Sequence, residues 1–153
     1  MGSVFGKLVR VYFTVVMYAS VISSFVSGRL IHLIGRILGA KKRTLNDLTT
    51  QVVSFWFRLI FIFCPWMRCV NVTKKEHSWD DLFKGDKPPF LLMNHSSQLD
   101  GFLFCNVVPL KHVASMRTMA KAGLFKVPLF GSIMKDIGHF PVHFKSTEAG
   151  KFS

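Results

Sequence analysis

Eighteen residues without a charge, VYFTVVMYASVISSFVSG, lie between Arg10 and Arg29. As a helix that stretch reaches most of the way across a bilayer core, which few other folds of such a run can exploit. Its flanks are basic, and no acidic residue precedes Asp47, whereas Lys7, Arg10, Arg29, Arg36, Lys41, Lys42 and Arg43 all do. A secretory signal is the rival reading, with Lys7 and Arg10 as its basic start and Ser23, Ser24, Ser27 and Gly28 as weak cleavage candidates. The run is long for a signal core and more apolar sequence follows, which favours an embedded helix or signal anchor.

Residues 30–39, LIHLIGRILG, read as a separate interfacial segment ending in the Lys41-Lys42-Arg43 cluster. That cluster, exceeding the charge before the first helix, orients this side toward the cytosol. Val52 to Val70 is a second apolar run, broken by Arg58 and Pro65. An arginine in mid-run is costly in hydrocarbon, so a helix in the interface or packed under a cytosolic domain is cheaper.

The whole chain of 153 residues carries 20 Lys+Arg against 8 Asp+Glu, a net charge of +12. With a mean hydropathy of +0.34, that surplus fits anionic headgroups better than nucleic acid. The basic residues do not interleave with stacking aromatics, so no nucleic-acid partner is expected. Cys64, Cys69 and Cys105 have no metal-ligand spacing and are odd in number, so they read as small buried hydrophobes, with no metal site expected.

The composition turns polar after residue 71, and three regions follow: a membrane-associated helical region at 1–70, a linker at 71–89 and an α/β domain at 90–153. Within the last, 90–93 (FLLM) reads as a short buried strand and 97–108 as a helix stopped by Pro109. Residues 112–116 read as a strand, 118–125 as a helix and 139–144 as a third strand. Alternating strands and helices imply an α/β fold.

Chemistry concentrates at Asn94-His95-Ser96-Ser97-Gln98-Leu99-Asp100. Five residues apart on one helix, His95 and Asp100 would point away from each other. They meet if His95 lies on the preceding loop and Asp100 in the first helical turn, with Ser96 or Ser97 as the cap. Asp100 then holds one imidazole nitrogen and frees the other to take a proton. The competing reading makes Ser97-x-x-Asp100 a capping box, the carboxylate serving backbone N–H groups.

Asn-His-x-x-x-x-Asp after a short apolar strand resembles the first block of the glycerolipid acyltransferases, which include the lysophosphatidic acid (1-acyl-glycerol-3-phosphate) acyltransferases. Lys121, Leu124, Pro128 and Gly131 are similar to that family's next block, and Gly138-His139-Phe140-Pro141-Val142 to the one after it. The likeness covers roughly residues 88–145. It implies transfer of an acyl group from acyl-CoA, as substrate with no further cofactor, to the free hydroxyl of a lysophosphatidate-type acceptor. His95 would be the general base and Asp100 its orienting partner. Lys121 would contact an anionic part of the glycerol phosphate or of CoA.

Two departures stand out. Where the family has an Asp-Arg-like pair, this chain has His143-Phe144, with Lys145 one position later as the candidate substitute. A lysine does not supply the two-pronged contact of an arginine. The family's later Glu-Gly block has only a faint echo at Glu148-Ala149-Gly150, so the chain reads as lacking the C-terminal part of the domain. The alternative function is therefore a truncated, catalytically silent membrane protein, or an interaction partner that binds anionic lipid. His112, His139 and His143 have no acidic partner at a useful spacing and read as structural. The expected partners are acyl-CoA, a lysophospholipid and membrane lipids, and the expected location is a membrane, the endoplasmic reticulum in a eukaryote, with the catalytic part facing the cytosol.

Overall fold

The computed structural model describes residues 4–67, 78–84, 89–93 and 99–143. It is mostly helical. A long α1 (Val4–Ile37) and α2 (Lys42–Phe63) are followed by a single turn α3 (Trp79–Leu82), then α4 (Asp100–Val107) and a one-turn α5 (Leu110–Val113). Strand β1 (Met119–Lys121), a 3-10 segment (Ala122–Lys126), α6 (Phe130–Asp136) and β2 (Phe140–Val142) complete it.

Residues 30–39 are not a separate interfacial segment, because α1 runs unbroken to Ile37. It stops in a Schellman turn: Gly39 takes φ +71°, its N–H donates to Arg36 O, and Ala40 N–H donates to Gly35 O at 2.8 Å. Helix α2 then runs back antiparallel to α1, as successive contacts show. Gly35 faces Leu45, Gly28 faces Thr49, and Trp56 Nε1 donates to Ser27 Oγ at 3.1 Å. Farther along, Tyr12 Oη donates to Phe63 O at 3.3 Å.

The buried residues of α1 are Ser20, Ser24, Gly28, His32 and Gly35, spaced four or three apart on one face. Many of its large apolar residues, among them Val15, Ile22, Val26 and Leu30, point outward, and none of the large ones is fully buried. This inverts the pattern of a helix in a soluble domain, where large apolar side chains fill the core. Ser24 Oγ, His32 Nε2 and Thr49 Oγ1 are buried without a hydrogen-bond partner among the described residues. Close approach of small residues, rather than a polar network, therefore holds the seam. Among the described residues α1 is the one helix long and apolar enough to span a membrane, and a signal sequence would meet the same test.

The principal core joins both ends of the chain. Val53, Phe57 and Ile60 of α2 and Cys64 just beyond it pack with Ile133 and Ile137 at α6, and Phe13, Val16, Phe25, Phe102 and Cys105 close around them. Helix α2 begins at the basic cluster, well before the apolar run at Val52, and ends two residues ahead of Pro65.

The sheet is smaller than an α/β reading anticipates: β1 and β2 pair in parallel, with Met119 opposite Phe140 and Lys121 opposite Val142. β2 lies inside the segment read as a strand. Residues 90–93 are exposed and form no strand, with Leu92 86% exposed, so the apolar run is not a buried strand. An apolar run needs a partner edge to become one, and none of the described residues pairs with it. Residues 112–116 close α5 and turn instead of forming a strand. Residues 118–125, read as a helix, hold β1 and the start of the 3-10 segment. Met, Ala and Lys favour helix, but pairing with β2 overrides that preference.

Candidate functional site

Asp100 is the first residue of α4, in the first turn where the sequence places it. The capping position belongs to Leu99, which makes no side-chain cap, and Ser96 and Ser97 of the alternative capping readings lie outside the described residues. A capping box does form elsewhere: Asp81 N–H donates to Ser78 Oγ, and Ser78 N–H donates to Asp81 Oδ2. His95 and Lys145 lie outside the described residues, as does Cys69. Lys121 is exposed at the C-terminal end of β1, in register with Val142, three residues before Lys145 in the chain. Asp100 and Lys121 thus come from separate elements.

One face of α2 carries α4. Phe57 meets Phe102 edge-to-face with ring centroids 4.7 Å apart, an arrangement worth about 0.5–1.5 kcal/mol beyond area burial. Ser54 Oγ lies 3.7 Å from Cys105 Sγ, and burial pushes the Cys105 thiol up from its ordinary pKa. Arg58 Nε donates to Cys105 O at 2.8 Å, and its Nη2 donates to Val108 O. Sequence reading treats Arg58 as a membrane cost; the structure gives it two carbonyl partners. Pro109 marks the Cys105 carbonyl as lacking a chain donor, but nothing local to it names Arg58 as the replacement.

A second arginine, just ahead of β1, was missed as well. Arg117 donates to Ala114 O and Met116 O and pairs with Asp47 of α2. Beside it, Thr118 N–H donates to His139 Nδ1 at 3.1 Å, which leaves the ring neutral with its proton on Nε2. Burial, reinforced by the Arg117 charge, holds His139 down at about 4. His112 differs from expectation, because it has an acidic partner: its Nε2 lies 2.7 Å from Asp80 Oδ1, with Phe83 stacked on the ring. Hydrogen bonds from Lys111 and then His112 hold the Asp80 carboxyl below its usual range. Asp80 is distant in sequence, so spacing could not reveal it.

Two cavities flank these elements. An open polar one of about 390 Å³ lies at the start of α2, lined by Lys42, Arg43, Asn46, Asp47, Ser115 and Arg117. It borders the end of β1 opposite to Lys121. An apolar groove of about 270 Å³ runs between α1 and α2, with Tyr12, Trp56 and Phe63 on its walls. Among the described residues, no cluster of His, Cys, Asp and Glu could hold a metal ion.

A family model described as Acyltransferase matches residues 69–151, more than half of the chain. Nothing among the curated proteins or the solved structures matches it. The matched segment begins just after α2 and takes in Asp100, β1, α6 and β2.

Proposed function

The chain belongs to the acyltransferase family, and from that premise we propose that it transfers the acyl group of acyl-CoA to the free hydroxyl of a lysophosphatidate-type acceptor. The observation that carries this reading is Asn94-His95-x-x-x-x-Asp100 inside the matched segment, with Asp100 opening α4. His95 takes the acceptor's hydroxyl proton, and the oxygen attacks the thioester carbonyl carbon. The C–S bond breaks, CoA leaves as thiolate, and the proton returns from His95 to give the free thiol. Asp100 fixes the imidazole tautomer and stabilises the imidazolium. Lys121 and Lys145 offer positive charge to the acceptor phosphate or to CoA.

The α1–α2 hairpin holds the protein at a membrane, where lysophospholipid and acyl chains partition. Support comes from the outward apolar face of α1 and the basic residues at both of its ends.

The test is release of CoA thiol by the full chain in mixed vesicles of phosphatidylcholine and lysophosphatidate supplied with oleoyl-CoA. Turnover is expected, and His95→Ala should lower it by about 10²–10⁴-fold, the usual worth of a general base. Undiminished turnover in that variant removes His95 from the chemistry. Turnover with lysophosphatidylcholine but not with lysophosphatidate would assign a different acceptor.

A further inference from the structure

We infer that Arg58 is a positioning residue for the acyl-transfer centre: it replaces the hydrogen-bond donor that Pro109 lacks, fixes α4, and so sets the place of Asp100. The inference rests on the role proposed above for His95 and Asp100.

In a continuing helix the N–H of residue 109 would donate to the carbonyl of residue 105. Proline has no N–H and also drives the residue before it out of the helical region. Val108 accordingly sits at φ −76° and ψ 129°, and α4 ends at Val107. Cys105 O is left without its chain donor, and Arg58 Nε takes that place at 2.8 Å. Nη2 of the same guanidinium reaches Val108 O. Two donors on one edge of a rigid plane serve two carbonyls together, which the single point of a lysine cannot do. The positive charge also faces the negative end of the α4 dipole.

Helix α4 needs this support. It has eight residues, none fully buried, and meets the core through Phe102 and Cys105. Among its other fixings are Phe57 on Phe102 and Ser54 beside Cys105, both from the same face of α2. A helix of this length is a rod of about 12 Å, so a tilt at its C-terminal end moves Asp100 at the other. Misplacement of a catalytic group by about 1 Å costs on the order of 10²-fold in rate.

The experiment compares Arg58→Met and Arg58→Lys with the full-length wild-type chain, in the Asp100 and Asp100→Asn backgrounds. Arg58→Met should lower kcat about 10–100-fold with KM for acyl-CoA within twofold, and Arg58→Lys should fall between. The acid limb of the kcat profile should move to lower pH, because a misplaced Asp100 no longer stabilises protonated His95. In the Asp100→Asn background, Arg58→Met should cost little more, as expected of two residues acting through one contact. Equal losses in both backgrounds, or an unmoved pH profile, would overturn the inference. A wild-type chain without turnover sinks the proposed function instead, and amide hydrogen exchange over 103–108 then decides for Arg58. Arg58→Met should weaken protection there at least tenfold, and unchanged protection would show that Arg58 does not hold α4.

Discussion

Arg117 and Asp47, seventy residues apart in sequence, form an ion pair that ties the approach to β1 onto the first turns of α2. The side chains are 18% and 32% exposed, so the pair lies between a surface bridge and a buried one. Asp47→Asn should cost about 1–2 kcal/mol, more than a surface pair and less than a buried one. Arg117→Met should cost more, because Ala114 O and Met116 O also lose their donor. Denaturant unfolding in detergent at low and at 0.5 M salt checks both values. The loss should persist at high salt, since partly buried pairs are weakly screened.

Gly131 is where α6 lies against the 3-10 segment. A Cβ there would sit 2.3 Å from Phe125 O and 2.5 Å from its carbonyl carbon, and that obstacle is backbone. The preceding residues are also tightly bent: Leu129 takes φ 60° and ψ −58°, and Phe130 N–H donates to Pro128 O at 2.6 Å, a γ-turn of the strained kind. Gly131→Ala should therefore cost about 1–3 kcal/mol and lower Tm by several degrees. Gly123, in the same block, has nothing within 4 Å of such a carbon. Gly123→Ala should change stability by no more than about 0.5 kcal/mol. Matching losses in the two variants would show that steric approach is not what requires Gly131.

Features written in consecutive residues were legible in the sequence. The uncharged run gave the body of α1, Pro109 gave the stop of α4, and the glycine at 138 preceded β2 as expected. What was missed depends on residues far away. Met119-Ala120-Lys121 is a strand because Phe140-Pro141-Val142 lies beside it, and nothing local announces that pairing. Hydropathy identified α1 as apolar without telling which side it buries, and the buried side is the small, polar one. Of the candidate site, the described residues place Asp100 at the start of α4. Arg58, Arg117 and the Asp80 partner of His112 emerged only when separate segments were packed together.

His139 makes stability depend on pH. Its folded-state pKa of about 4 lies below the ordinary 6.5, so the unfolded chain binds the proton more readily in that interval. The contribution of the neutral, half-buried ring is complete above about pH 6.5 and is lost as pH falls toward 4. The loss is on the order of 3 kcal/mol at most. Thermal unfolding in detergent between pH 7 and pH 4 should show this decline, and His139→Gln should flatten it. An equal slope in that variant would assign the dependence to other groups.

The outward face of α1 makes the membrane placement testable without an activity. Val15 and Ile22 are 61% and 48% exposed, whereas Ser24 on the opposite face is fully buried. If lipid covers the outer face, Val15→Glu with Ile22→Glu should cost several kcal/mol of membrane affinity, because each adds a carboxylate to an apolar environment. That corresponds to at least a hundredfold weaker partitioning. Ser24→Ala should leave partitioning unchanged, since it alters only the seam with α2. Flotation with vesicles of phosphatidylcholine and phosphatidate reads both. A wild-type chain that stays at the bottom of the gradient would leave the α1 face without a bilayer to cover it. A doubly substituted chain that still floats would place the lipid contact elsewhere, with the exposed aromatics Phe55 of α2 and Trp66 in the turn just beyond it next in line for substitution.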